Sequence, residues 1–80
     1  MRLKGAFIGF GNVARLGHLP VWLSRDDVEI VAAADVRPEG RRALAAALPA
    51  ARWYESAQTM LAAEDLDFVD VCTPPAFHAA

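Results

Sequence analysis

Four short apolar runs, at residues 3–8, 28–34, 51–54 and 68–72, constrain this chain more than any other feature. Each is separated from the next by a stretch long enough for a helix and far too long for a hairpin. Strands joined in this way lie parallel, linked by helical crossovers. The runs are mostly apolar throughout instead of alternating, which reads as strands buried on both faces beneath helices. Hydrophobic residues make up 55% of the 80, an apolar balance for so short a chain. The expectation is a partial, doubly wound α/β fold: a parallel sheet of strand order 3-2-1-4 with helices on both faces. Folds of this kind are normally larger than 80 residues, so the chain reads as the opening part of something longer.

Between the strands, residues 12–24 carry Val13, Leu16, Leu19 and Leu23 at helical spacing, interrupted by Gly17 and Pro20. A proline inside a helix removes a hydrogen bond and kinks it, so a bend or break is expected at residues 17–20. Pro38 and Glu39 suit the first turn of an alanine-rich helix whose packing face is Leu44, Ala47 and Leu48. Ser56 is the expected N-cap of a third helix over residues 57–63, which carries Met60 and Leu61.

Directly after the first strand stands Gly9-Phe10-Gly11-Asn12-Val13-Ala14, a G-x-G-x-x-A loop opening a helix. Each small residue has a mechanical reason there. Gly9 permits the tight turn, Gly11 lets the backbone approach a pyrophosphate, and Ala14 lets the helix pack close to the sheet. The amides of residues 9–13 then face the phosphates at the positive end of the helix. A lone glycine pattern is weak, but here a second strand follows and ends in Asp35, 21 positions past Ala14. The dinucleotide fingerprint places a carboxylate at about that distance to accept hydrogen bonds from the adenine ribose. Such a carboxylate repels a 2′-phosphate and favours NAD. Arg37, two residues on, either pairs with a 2′-phosphate, keeping NADP as the alternative cofactor, or lies on the adenine face.

These residues resemble the Gfo/Idh/MocA oxidoreductases along the whole chain. The resemblance joins the glycine loop to Gly17-His18-Leu19-Pro20, a strand ending in Ala34-Asp35, and a last strand leading into Thr73-Pro74-Pro75 and His78. The glycine loop is shared by many families; its combination with the Thr-Pro-Pro-x-x-His ending is far more specific. The resemblance implies a nicotinamide-dependent dehydrogenase acting on a sugar, cyclitol or related hydroxyl substrate. It implies that Thr73, Pro74 and Pro75 line the nicotinamide half of the cofactor and that His78 opens a helix beside it. The expected cofactor-binding set is therefore Gly9, Phe10, Gly11, Asn12, Val13, Asp35, Arg37, Thr73, Pro74, Pro75 and His78. Members of the family carry their catalytic lysine in a Glu-Lys-Pro segment further on, and a second, sheet-rich domain. Residues 1–80 thus read as the N-terminal part of a dinucleotide-binding Rossmann domain, with the substrate and catalytic domain absent. No catalytic role is assigned, and the 80 residues alone are expected to be inactive. On the residues themselves a stand-alone NAD-responsive regulatory module, a Rossmann-type methyltransferase fragment and a non-functional remnant stay open.

Other classes are excluded or disfavoured. A net charge of −2 argues against a nucleic-acid module. No apolar run approaches the roughly 20 residues that span a bilayer, and the single cysteine needs no oxidising compartment, so a cytoplasmic setting is expected. His18 reads as a packed or surface histidine and Cys72 as an inert thiol without a sequence-neighbouring histidine or cation. No metal site is expected: Asp65, Asp67 and Asp70 resemble a cluster only superficially, with Asp65 and Asp67 capping a turn. Trp22, Trp53 and Tyr54 read as packing residues. The outer edge of the fourth strand is expected to be unpaired, which makes self-association through it a further expectation.

Overall fold

The computed structural model describes residues 2–11 and 13–72. Strands β1 (Leu3–Ile8), β2 (Val28–Ala34), β3 (Arg52–Tyr54) and β4 (Phe68–Val71) form one parallel sheet of order β3-β2-β1-β4. The expected order 3-2-1-4 is the one found. β4 is seated on β1 by Asp67: its carboxylate accepts from the Lys4 amide at 2.7 Å, while its own amide donates to the Lys4 carbonyl. Asp67 therefore ends a turn by joining two strands.

The helices lie on both faces. A π-helical segment (Val13–His18) runs into α1 (Leu19–Leu23), and these pack with α2 (Glu39–Ala47) over one face; α3 (Ala57–Ala63) covers the other. The first face buries Phe7, Phe10, Ala14, Leu19, Ile30 and Leu44; the second is built on Ala6, Ala32, Ala34 and Met60. The small residues of β1 and β2 let the helices approach closely. Ser56 caps α3 as its side chain implies, accepting from the Thr59 amide at 3.0 Å.

Three expectations require correction. At residues 17–20 the winding changes from π to α between His18 and Leu19 while the helix runs on, and the expected apolar stripe is not the buried face: Leu16 is 70% exposed and Leu23 52%. The i→i+5 winding of a π-helix changes which positions share a side. Ala14 and Leu19, five apart, are both buried, and from Leu19 the spacing of three to Trp22 resumes the α period. In α2 the packing face is Ala43, Leu44 and Leu48, with Ala47 exposed. Burial on both faces holds for β2 but not for β4, where Val69 and Val71 are exposed at the sheet edge.

Candidate functional site

The glycine loop leaves the C-terminal end of β1 through Gly9, whose φ of 86° lies in the left-handed region that glycine adopts without strain. The Gly9 amide donates to the Ala34 carbonyl at 2.7 Å, tying the turn to the last residue of β2. Phe10 turns inward and is buried, 5.4 Å from the Phe7 ring and edge-on to Trp53 at 6.4 Å. It is thus an anchor for the loop, and only its backbone faces the cleft. At Gly11 a Cβ would stand 2.9 Å from a guanidinium nitrogen of Arg37, the movable tip of a long side chain. The Gly11 carbonyl accepts from the Arg15 amide, which starts the helix at this point.

Asp35 stands one residue past β2, with only 6% of its side chain in solvent. One carboxylate oxygen accepts from the Phe10 amide at 2.8 Å and a guanidinium nitrogen of Arg37 at 3.0 Å. The other accepts from the Arg37 amide at 2.9 Å and Arg37 Nε at 3.2 Å. Burial alone would raise this carboxyl, but the bonds from Arg37 and Phe10 outweigh it and hold it below its ordinary value. Four donors occupy the roughly four lone-pair positions of the group. Two come from the backbone and fix its orientation. The two from the guanidinium, whose side chain is 45% exposed, are exchangeable.

Phe10, Gly11, Asp35, Arg37, Glu39 and Gly40 surround a cleft of about 280 Å³. Gly40 belongs to this cleft although it lies outside the glycine motif. A Cβ on it would lie 2.6 Å from the Phe10 carbonyl oxygen, so α2 supports the loop from beneath only because residue 40 has no side chain. A glycine in the first turn of an alanine-rich helix was the available signal. Two larger clefts, about 530 and 580 Å³, lie away from the loop, one around Arg2 and Lys4 and the other along β4.

Of the expected cofactor residues, Gly9, Phe10, Gly11, Asp35 and Arg37 converge on one corner. Val13 begins the helix, and its side chain is not described. Asn12, Thr73, Pro74, Pro75 and His78 lie outside the described residues.

Two residues treated as inert or incidental are brought together elsewhere. In the sequence Cys72 has no histidine or cation beside it. Across the fold His18 Nδ1 stands 3.3 Å from Cys72 Sγ and 2.7 Å from an Asp70 oxygen. Spacings of 52 and 54 residues hide this contact from any local reading. Trp22 and Trp53 do serve packing, against Phe68 and Phe10.

A sequence profile of the Gfo/Idh/MocA oxidoreductase family, NAD-binding Rossmann fold, matches residues 3–80. The chain is 46% identical over 77 residues to the D-apiose dehydrogenase of Paraburkholderia graminis and 40% identical over 76 residues to the D-glucoside 3-dehydrogenase of Escherichia coli. These alignments cover 96% and 95% of this chain but 20% and 22% of those proteins, so it spans about a fifth of their length. A crystal structure of an Agrobacterium radiobacter oxidoreductase with NAD+, L-tartaric acid and magnesium superposes with a TM-score of 0.85 at 29% identity. That match covers 98% of this chain and 22% of the other.

Proposed function

Since the chain belongs to the Gfo/Idh/MocA oxidoreductase family as its NAD-binding Rossmann fold, we propose that residues 9–13 hold the cofactor's pyrophosphate and Asp35 its adenine ribose. The residues present fit such a group. The left-handed turn at Gly9 and the absence of a Cβ at Gly11 leave the backbone open to a phosphate. The observation that carries the reading is Asp35, oriented by the Phe10 and Arg37 amides. When the guanidinium of Arg37 swings aside, two acceptor positions come free for the two ribose hydroxyls. The carboxylate stays in place and repels a 2′-phosphate, so NAD(H) is preferred over NADP(H).

By the family resemblance, Thr73, Pro74, Pro75 and His78 contact the nicotinamide half. NAD supplies the hydride acceptor; this chain's residues bind and orient it. The dehydrogenases of apiose and glucosides among its relatives support a sugar or related polyol hydroxyl as the substrate of the protein this domain serves. In this reading substrate binding and proton transfer fall to residues beyond these 80.

Calorimetric titration with both cofactors tests the assignment. NAD(H) should bind more tightly, and Asp35→Ala should weaken it by about 1.5–3 kcal/mol, the range for a lost bond to a charged acceptor. Tighter binding of NADP(H), or an Asp35→Ala variant that binds NAD(H) unchanged, would overturn it.

A further inference from the structure

β4 alternates its side chains, so Phe68 and Asp70 point to the face covered by α1, and Cys72 follows in step. There Asp70 gathers three donors. One oxygen meets His18 Nδ1 at 2.7 Å and Trp22 Nε1 at 2.9 Å; the other accepts from Cys72 Sγ at 3.4 Å. His18 Nδ1 is also 3.3 Å from Cys72 Sγ, and one ligating atom from each of His18, Asp70 and Cys72 lies within 4.8 Å of the other two.

We propose that His18 Nδ1, the Asp70 carboxylate and the Cys72 thiolate form a binding site for a zinc-class divalent ion, with one coordination position left to solvent. Zinc bonds of about 2.3 Å to sulfur and 2.0–2.2 Å to nitrogen or oxygen set tetrahedral ligand atoms roughly 3.3–3.6 Å apart. The Sγ–Nδ1 separation of 3.3 Å already matches. Asp70 offers a different oxygen to each partner, Oδ1 to Sγ and Oδ2 to Nδ1, so its carboxylate must turn to present one oxygen to the ion, and the imidazole, 44% exposed, must draw back from it. Thiolate, imidazole and a single carboxylate select zinc or cobalt over magnesium or calcium. The Asp70 side chain is only 14% exposed, and Trp22 Nε1 fixes it from outside the ligand set. Trp22 is itself held 4.8 Å from the Phe68 ring with Arg25 stacked over it.

A Cys–His–Asp nucleophile is the rival reading, and the geometry is against it. Asp70 and Cys72 both contact the same ring nitrogen, Nδ1, whereas a catalytic relay needs the acid on one imidazole nitrogen and the nucleophile on the other. Entry of the ion changes no oxidation state. The thiol proton passes to solvent, the imidazole proton moves from Nδ1 to Nε2, and Asp70 exchanges its bonds from Sγ and Nδ1 for coordination. The two anionic ligands then balance the dication. The ion would clip the end of the π-helix to the end of β4, where the Cys72 amide already bonds the Ile8 carbonyl at 2.8 Å.

Co2+ serves as the probe, titrated into the reduced 80-residue chain. The expected result is a thiolate-to-cobalt charge-transfer band saturating at one ion per chain and displaced by Zn2+ with Kd below about 10 µM. Cys72→Ser should abolish the band and weaken Zn2+ at least tenfold. On the unaltered chain, Zn2+ should also protect Cys72 from alkylation by iodoacetamide, a readout independent of how the variant folds. Absence of the band, Zn2+ affinity unchanged in Cys72→Ser, or alkylation unaffected by Zn2+ would each overturn the proposal.

Discussion

On the proposed assignment, cofactor choice turns on Arg37. In the structure its guanidinium takes the two acceptor positions of Asp35 that a ribose would use. The guanidinium of this ion pair is 45% exposed, and pairs open to solvent in this way contribute about 0–1 kcal/mol, so displacing it is inexpensive. Arg37→Gln should therefore tighten NAD(H) by a factor of about 2–5, the equivalent of that energy, while weakening NADP(H) by removing the cation beside a 2′-phosphate. Fluorescence titration of both cofactors checks the pair of shifts. Weaker NAD(H) binding in this variant would mean that Arg37 rests on the adenine ring in the complex.

At the scale of elements, α2 does more than cover β2. Its first turn supports the glycine loop through Gly40, which approaches the Phe10 carbonyl and the Trp53 ring. Replacing a helical glycine with alanine ordinarily stabilises by up to about 1 kcal/mol. Here the sign reverses, because the partner 2.6 Å from the new Cβ would be backbone and cannot rotate away. Gly40→Ala is expected to destabilise by about 1–3 kcal/mol, the usual range for overpacking. It should also weaken NAD(H), since the loop that moves is the one proposed to bind it. Urea unfolding and cofactor titration on the same variant give both numbers. A stabilised variant would show that loop and helix are not rigidly coupled.

For the molecule as a whole, acid sensitivity and association are the measurable consequences. Glu64 bridges β3 to the end of α3 through Arg52 and the Tyr54 hydroxyl, with 6% of its side chain exposed. The bond from Arg52 outweighs burial and lowers its carboxyl from 4.5 to about 2. A carboxylate depressed on folding stabilises fully above its unfolded value and loses that contribution as pH falls through the folded one. Asp35 and Asp70 are depressed in the same direction. The urea midpoint should thus fall steadily between about pH 4.5 and 2, with a shallower slope in Arg52→Met. A midpoint flat across that window would contradict the argument.

The second consequence follows from β4, which pairs only with β1 among the described residues and leaves Val69 and Val71 exposed. An apolar strand edge with free amide and carbonyl groups is a template for another chain. The 80-residue chain is expected to grow in apparent mass with concentration in light scattering, and Val71→Lys to suppress that growth. A monomer at all concentrations would show the edge to be protected.

How much of this was legible beforehand depends on the range of each interaction. The four strands, their order, the capped third helix and the corner of Gly9, Gly11 and Asp35 follow from local patterns: apolar runs, crossover lengths, and residue types demanded by backbone geometry. Those constraints act within a few residues or through fixed spacings, so the linear sequence carries them. The tertiary structure alone decided what depends on the turning of one element against another. Winding the segment before Leu19 as a π-helix exposed Leu16 and brought His18 over β4. That contact turned Cys72 from an isolated thiol into one member of a three-residue cluster. It also took the tertiary structure to set Gly40 beneath the glycine loop. The Gly40–Phe10 and His18–Cys72 contacts, 30 and 54 positions apart, leave no periodicity to read, because packing and not spacing selects them.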